Sequence, residues 1–328
     1  MSDPFGERSA GFTQRMRLLG AKFRFDSNSE ELLGLVNCAY QGLPRHRLSG
    51  YDGELRVSLL LTGGKQRLGR GEPPPLKMLS GAALLAGATP EADFAVISPR
   101  AHSALVVVSP RMLRFPYHTR YELIEFAVFT LAARAQRLVS LHAACVGRHG
   151  RALLLIGPSG SGKTTVALHC LLDGFDFLSE DSAFVSPDTM LATGVSNYVH
   201  IRADSLRWLG RSRVAAVIRQ SPVIRRRSGV KKFEVNLRRG GFRLARSPLK
   251  IVGTVFVLPH SAGDRPVLQA ISKASLLANL ADTQGYAAGQ PPWADFRRNM
   301  SRLDCFELRR GSHPREAVQA LRSVLDAR

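Results

Sequence analysis

Residues 153–165 run Leu153-Leu154-Leu155-Ile156-Gly157-Pro158-Ser159-Gly160-Ser161-Gly162-Lys163-Thr164-Thr165. An apolar run of strand type enters a glycine-rich turn, and Lys-Thr-Thr then opens a helical pattern. The turn matches the spacing G-x-x-x-x-G-K-[ST], which belongs to loops that hold the phosphates of nucleoside triphosphates. Strand, loop and helix stand in the order that such a loop requires. The stretch therefore predicts a nucleotide-binding site formed by residues 157–165.

Each residue type in the turn has a physical task. Glycine lets the backbone curl around an anion, because no Cβ blocks a positive φ. Backbone N–H groups of the loop and of the following helix N-terminus then point at one phosphate. The Lys163 ammonium can reach the outer phosphates, and the Thr164 hydroxyl can ligate Mg²⁺. We therefore expect ATP and Mg²⁺ as cofactors.

Length and composition bound the class of protein. The chain has 328 residues, of which 45% are hydrophobic, enough for about two domains. Its four cysteines form no C-x-x-C pair, as expected of reduced thiols in a cytosolic protein. The first twenty residues lack the apolar core of a signal peptide, and no apolar run is long enough to predict a membrane span. We expect a cytoplasmic protein without a membrane partner.

The net charge of +20 is concentrated in one basic segment, residues 205–250. It contains fourteen lysines and arginines against a single acid, Glu234. Charges without local partners repel one another, so the segment indicates an anionic ligand, although a plain solvated loop is the alternative. Apolar residues interleave with the basic ones, so part of the segment is expected to pack. We expect Arg225-Arg226-Arg227 to dock an acidic peptide or protein.

The strand and helix patterns predict two domains. Residues 1–120 mix short strand patterns with a helix over residues 30–40, after a loose leader at residues 1–20. This predicts a small N-terminal α+β domain of unknown role. Residues 121–328 carry the glycine-rich loop and form an α/β domain. A strand pattern over residues 138–146 and the turn that follows it predict a hairpin, which gives the strand of the loop an antiparallel neighbour.

A pair of acids follows the next strand pattern. The helix after Lys163 is predicted to stop at Gly174, and residues 175–178 read as a strand that ends in Ser179-Glu180-Asp181. Open α/β sheets bind ligands at the carboxyl ends of their strands. Carboxylates there can hold Mg²⁺ or take the proton of an attacking hydroxyl. An exposed acidic turn is the plainer interpretation, and the loop upstream favours the catalytic one.

Four parts of this region together resemble the HPr kinase/phosphorylase superfamily: Leu141-His142-Ala143, the glycine-rich loop, Asp173-Gly174-Phe175 and Leu178-Ser179-Glu180-Asp181. That family has a strand with a histidine before a G-x-S-G-x-G-K-[ST] loop. A helix that ends at glycine and a strand that ends in two acids follow. The likeness covers about residues 135–200 and implies a P-loop kinase domain of the HPr-kinase type.

The resemblance implies roles for these residues. His142 matches the histidine beside the active site, although a satisfied core histidine also fits. Lys163 and Thr164 match the contacts to phosphate and Mg²⁺. Glu180 and Asp181 match the acid pair, whose first member is usually the aspartate that serves as the base. Here the first member is glutamate, so the base is open between the two, and Asp181 is expected beside Thr164 at the metal.

A second departure concerns the substrate. True HPr kinases carry a Glu-Ile-Arg-Gly-Leu-Gly type of signature after the acids, and this chain lacks it. It is more similar to divergent relatives in biosynthetic gene clusters, some of which phosphorylate a serine of a ribosomal peptide such as a lasso peptide. The resemblance implies an ATP-dependent kinase acting on a hydroxyl, typically serine, of a peptide or protein. The hexamers of the family are consistent with a homo-oligomer.

Two other classes of function fit parts of the sequence. A nucleic-acid-stimulated ATPase would use the basic segment, because phosphate backbones attract such charge. Its aromatic residues, Trp208, Phe233 and Phe242, are few for base stacking, so a nucleic-acid partner is disfavoured. A nucleotide-binding scaffold without catalysis fits the glutamate at position 180. An ABC-type ATPase is disfavoured, because no complete signature motif is present.

Overall fold

The computed structural model describes residues 11–48, 51–63, 72–73, 75–259, 267–311 and 313–327. They divide into two compact units, and the break between them follows Gln136. The sequence predicts this boundary after residue 120. The difference arises because the helix over residues 125–135 packs on strands of the first unit. Residues 42–48 belong to the second unit. Both units mix helices and strands, so the chain has a mixed α/β fold.

The first unit is built on a seven-stranded sheet. Its strands are β1 (Phe12–Leu18), β2 (Ala21–Ser27), β3 (Glu54–Leu61), β4 (Lys77–Gly81), β5 (Leu84–Ala88), β6 (Phe94–Ser98) and β7 (Ser103–Val108). Its helices are α1 (Glu30–Tyr40), α2 (Pro110–Leu113), α3 (Pro116–His118) and α4 (Glu125–Ala135). The strand order is β1-β2-β3-β7-β6-β5-β4, with β2, β3 and β7 parallel.

Local signals account for the start of this unit. Ser29 caps α1 by accepting a hydrogen bond from the Leu32 N–H. Phe23 and Phe25 point to the same face of β2 and are fully buried. The leader prediction is wrong for residues 12–18, because β1 pairs with β2 along its whole length. Residues 1–10 lie outside the described ranges.

The second unit holds a nine-stranded and a three-stranded sheet among its described residues. The strands of the larger sheet are β8 (Val139–Leu141), β9 (Ala144–Arg148), β10 (Arg151–Ile156), β11 (Asp176–Ser179), β12 (Ala183–Val185), β13 (Leu191–Gly194), β17 (Leu249–Val257), β18 (Val267–Ala270) and β19 (Asp304–Arg309). Those of the smaller sheet are β14 (Tyr198–Ile201), β15 (Val223–Arg225) and β16 (Lys231–Asn236). The helices are α5 (Lys163–Leu172), α6 (Arg213–Gln220), α7 (Lys273–Thr283), α8 (Trp293–Met300) and α9 (Pro314–Asp326).

The predicted hairpin before the loop is confirmed. β9 and β10 pair antiparallel across a two-residue turn in which His149 and Gly150 both have positive φ. The single strand predicted over residues 138–146 is wrong, because the chain breaks at His142 and Ala143. β8 pairs with β12, whereas β9 pairs with β10 and β11. The break leaves His142 outside the regular strands.

Apolar residues of β10 face two separate cores. Leu153 and Leu155 pack with residues of α5 and α9. Leu154 and Ile156 pack with residues of α7 and α8. A strand covered on both faces is apolar without alternation, which explains the unbroken apolar run before the loop. Within the described ranges, every helix falls short of the length and hydrophobicity that a membrane crossing requires.

Candidate active site

Strand directions bring the expected site residues to one edge of the nine-stranded sheet. β10, β17 and β19 are parallel, so their carboxyl ends share this edge. β9 is antiparallel to both β10 and β11, so β9 begins and β11 ends there. The loop after β10, the acids after β11 and His142 before β9 are therefore neighbours, although β9 separates β10 from β11.

The loop between β10 and α5 is tightly curled. Gly157, Gly160 and Gly162 all have positive φ, at 153°, 80° and 99°. A Cβ on Gly157 would clash with the carbonyl oxygen of Val257, and one on Gly162 would clash with the Arg310 guanidinium. Glycine is required at position 157 by the close Val257 carbonyl and favoured at position 162 by the positive φ.

Lys163 begins α5 and turns its side chain back over the loop. Its ammonium donates hydrogen bonds to the carbonyl oxygens of Gly157 at 2.6 Å and Pro158 at 3.1 Å. Burial lowers the pKa of Lys163, and the positive charge of Lys232 contributes in the same direction, while nearby carboxylates oppose it. Ser161 Oγ is buried and has no hydrogen-bond partner among the described residues. A buried cation beside an unsatisfied hydroxyl suits a bound oxyanion.

The remaining predicted loop residues occupy the rim. Pro158, Ser159 and Gly160 are exposed at the tip of the loop. Thr165 lies in the first turn of α5, with its hydroxyl 3.4 Å from that of Ser205. The loop therefore has a buried base and a solvent-facing tip.

Glu180 links the loop to the three-stranded sheet. Its Oε1 accepts a hydrogen bond from the Thr164 hydroxyl at 2.9 Å. Its Oε2 accepts one from the backbone N–H of His200 at 2.8 Å and lies 3.0 Å from His200 Nδ1. The other ring nitrogen of His200 lies 3.2 Å from Glu234 Oε1. Both oxygens of Glu180 are thus engaged, and its carboxylate is held in one orientation.

His200 is enclosed by two carboxylates and its side chain is only 8% exposed. Burial by itself lowers the pKa of His200, but the charge and hydrogen bond of Glu180 and the hydrogen bond of Glu234 raise it above its ordinary value. The imidazolium form offsets the two carboxylates. Neither His200 nor Glu234 is among the predicted site residues. One feature of the sequence could have identified Glu234: it is the only acid in the basic segment.

Asp181 points to a more open part of the site, paired with His142. Asp181 Oδ1 lies 2.9 Å from His142 Nδ1, and the side chains are 31% and 44% exposed. Burial raises the pKa of Asp181, but the hydrogen bond and charge of His142, with the charges of Arg226 and Lys232, outweigh it and lower the pKa to about 2. Asp181 is therefore a carboxylate that a ligand can approach.

Two glutamines hold the backbone around His142. β8 is the last strand of the sheet order, so among the described residues its outer edge has no strand neighbour. Gln284 accepts from the His142 N–H at 2.9 Å and donates to its carbonyl at 3.2 Å. Gln290 does the same for Ser140, at 2.8 and 3.0 Å. The two side-chain amides thus make the backbone hydrogen bonds that a neighbouring strand would otherwise make. They hold the backbone in place at the break that contains His142.

The basic segment contributes cations to the site. Arg226, in the turn after β15, and Lys232, on β16, both act electrostatically on Asp181. The flanking Arg225 and Arg227 have exposed side chains. The three predicted arginines therefore differ, because Arg226 acts on Asp181 and is partly buried, whereas Arg225 and Arg227 are exposed.

The expectation that the basic segment lacks local partners is wrong for several of its residues. Arg243 Nε lies 2.6 Å from Asp176 Oδ1, an acid from outside the segment. The guanidinium of Arg207 lies 4.5 Å from the ring centroid of Trp208. Such partners come from elsewhere in the chain or from aromatic faces, so counting acids within the segment does not find them.

The surroundings of Thr164 offer few protein ligands for a metal ion. No group of three or more His, Cys, Asp or Glu side chains in the described part of the chain could hold a metal ion. Mg²⁺ is usually bound by one or two carboxylates, waters and substrate phosphates. The Thr164 hydroxyl and the Glu180 carboxylate form such a limited set. The sequence expectation of Asp181 beside Thr164 differs from this arrangement, in which Glu180 is the neighbour.

Comparisons with known proteins add little. No family model and no curated protein matches the sequence. Among solved structures, the chain is similar to the Hpr(Ser) kinase/phosphatase from Coxiella burnetii, with 11% identity and a TM-score of 0.24, over 57% of this chain and 87% of that chain. At that TM-score the likeness carries no argument for the fold or the function of this chain.

Proposed function

We propose that the second unit is an ATP-dependent kinase that transfers the γ-phosphoryl group to a hydroxyl, typically serine, of a peptide or protein. The observation that carries this proposal is the 2.9 Å hydrogen bond between Thr164 and Glu180, beside the Asp181–His142 pair. Two successive acids thus have different surroundings. One adjoins the residue that ligates Mg²⁺ in phosphate loops, and the other is open to an acceptor.

The donor side uses residues 157–165. The loop N–H groups and the start of α5 cradle the phosphates, and Lys163 neutralises the outer ones. Thr164 and Glu180 would hold Mg²⁺, which when bound neutralises charge on the β- and γ-phosphates. His200 keeps the Glu180 carboxylate turned towards Thr164. Assigning Glu180 rather than Asp181 to the metal follows from these contacts.

The acceptor side uses Asp181 and His142. The hydroxyl oxygen forms a bond to the γ-phosphorus, the bond from that phosphorus to the bridging oxygen of ADP breaks, and the hydroxyl proton passes to the Asp181 carboxylate. His142 holds that carboxylate in place through Nδ1. Asp181, with its pKa near 2, is a weak base, but a loose phosphoryl-transfer transition state needs positioning more than proton abstraction.

The acceptor is an acidic peptide or protein. Arg225, the last residue of β15, and Arg227, in the turn that follows, are exposed on either side of Arg226, which acts on Asp181. Acidic side chains that flank the acceptor hydroxyl would meet these two cations, which steers the encounter and fixes the register.

The test is phosphoryl transfer from ATP·Mg²⁺ to a degenerate library of acidic serine peptides, read by mass spectrometry. We expect phosphopeptides with the wild type and none above background with Lys163→Ala. A serine-to-alanine library is the control for the acceptor group. ATP hydrolysis that nucleic acid stimulates, without any peptide product, would replace the kinase proposal by the ATPase alternative. Nucleotide binding with neither hydrolysis nor transfer would indicate a scaffold.

A further inference from the structure

Arg310 lies against the glycine-rich loop, outside every motif that the sequence singles out. It directly follows β19, which is parallel to β17, as β17 is to β10. Arg310 therefore emerges at the same sheet edge as the loop after β10. This is the edge where α/β sheets hold their ligands.

The guanidinium of Arg310 packs on the last glycine of the loop. A Cβ built on Gly162 would lie 2.8 Å from Arg310 Nε and would clash with Nη1. Gly162 is also the N-cap of α5, with φ at 99°. The missing Cβ thus creates the space in which the cation sits beside the N-terminus of α5.

In the described part of the chain, no carboxylate forms an ion pair with Arg310. Its Nε is buried and lacks a hydrogen-bond partner among the described residues. Burial lowers the pKa of Arg310, and the positive charge of Arg207 lowers it further. A half-buried cation with an unsatisfied donor and a second cation nearby is unfavourable unless an anion joins them.

We propose that Arg310 binds the α- and β-phosphates of the donor nucleotide. This inference rests on the proposed function and adds a residue to its donor side. Backbone N–H groups of such loops cradle the α- and β-phosphates, and Arg310 lies against Gly162, the last glycine of the loop and the N-cap of α5. A guanidinium offers a planar fork of donors that matches phosphate oxygens.

The test is calorimetric titration of ADP·Mg²⁺, ATP·Mg²⁺ and adenosine into Arg310→Gln. Loss of charge-assisted hydrogen bonds predicts that both nucleotides bind about 10- to 100-fold more weakly, with the ATP-to-ADP affinity ratio unchanged. Adenosine, which lacks phosphate, should bind as to wild type. Arg309→Gln, at the exposed neighbouring position, is the matched control and should leave all three affinities unchanged.

Thermal denaturation separates a binding role from a structural one. Without nucleotide, Arg310→Gln should melt at or above the wild-type temperature, because it removes a cation without a partner. The upward shift caused by ADP·Mg²⁺ should shrink. A lower melting temperature without nucleotide, together with unchanged ADP affinity, would overturn the inference. The inference would also be overturned if Arg310→Gln bound ATP·Mg²⁺ more weakly than the wild type but bound ADP·Mg²⁺ equally well. Wild-type protein that binds neither nucleotide would instead refute the proposed function.

Discussion

The Thr164 hydroxyl and the Glu180 carboxylate share a hydrogen bond of 2.9 Å across sixteen residues of sequence. This bond joins the first turn of α5 to the acid that follows β11. The next residue, Asp181, pairs with His142 instead. The two acids of one motif therefore have separate partners, and their functions can be separated by mutation.

Glu180→Gln should affect the binding of ATP, whereas Asp181→Asn should affect turnover. Because Glu180 lies beside Thr164, Glu180→Gln should weaken Mg²⁺-dependent ATP binding by at least about tenfold. Asp181→Asn should retain ATP affinity but lower turnover by about 10²- to 10⁴-fold, since the carboxylate that positions the acceptor hydroxyl and takes its proton is lost. Calorimetry with and without Mg²⁺, with single-turnover kinetics, measures both. The reverse pattern would return the metal to Asp181.

His200 should stabilise the fold in a pH-dependent way. Removing it leaves two buried carboxylates without their shared partner, so His200→Gln should lower the free energy of unfolding by about 3 kcal/mol near neutral pH. The raised pKa of His200 means that its contribution is complete below about pH 6.5 and is lost as the pH rises through the raised value. Urea unfolding of both proteins between pH 6 and 9 should show a shrinking difference.

A double variant is the control for His200. Glu234→Gln removes one of the two carboxylates, so His200→Gln combined with Glu234→Gln should be less destabilised than the sum of the single changes. Strict additivity would mean that the 3.2 Å contact between His200 and Glu234 contributes no coupling.

Local sequence rules account for the parts of the site that are close in the chain. The glycine spacing, the hairpin before β10 and the acids after β11 follow from turn chemistry and hydrophobic pattern. Contacts made across the fold have no such signal. Gln284 holds the backbone of His142 from 142 residues away, and the sequence around it shows no motif.

The acid pair illustrates the same limit. Sequence position places Glu180 and Asp181 side by side, but the choice of metal acid depends on which one faces α5. That choice is made by His200, whose backbone N–H and ring both hold Glu180. The strand that carries His200 belongs to another sheet, and its pairing with β16 is a long-range event. A resemblance limited to residues 135–200 leaves β16 and Glu234 out.

Gln284 should influence catalysis through the His142 backbone. Gln284→Met removes both hydrogen bonds that Gln284 makes to the N–H and carbonyl of His142, so we expect a loss of about 2 kcal/mol in the free energy of unfolding. Turnover should also fall, because His142 positions Asp181. Gln290→Met removes the same two bonds from Ser140 and is the matched control. Equal losses of turnover in both variants, with unchanged KM, would point to general destabilisation.

The exposed arginines Arg225 and Arg227 should affect the binding of the acceptor but not the binding of ATP. Both have exposed side chains, and Arg226 between them acts on Asp181. Replacing Arg225 and Arg227 by Gln should therefore raise KM for an acidic peptide acceptor about tenfold while leaving KM for ATP unchanged. The effect should be larger at low salt, since exposed charges are screened at high ionic strength. Arg226→Gln should instead alter turnover.

The control for this pair is on α6, which belongs to the same basic segment. Arg213 and Arg219 are also exposed, so Arg213→Gln with Arg219→Gln removes the same charge. If net charge alone attracts the acceptor, both double variants will raise KM equally, and the docking role of residues 225–227 is wrong. A selective effect at Arg225 and Arg227 locates the acceptor. Gel shifts against single- and double-stranded nucleic acid complete the test. Tight binding that disappears with Arg225 and Arg227, and that stimulates ATP hydrolysis in the wild type, would make nucleic acid the anionic partner.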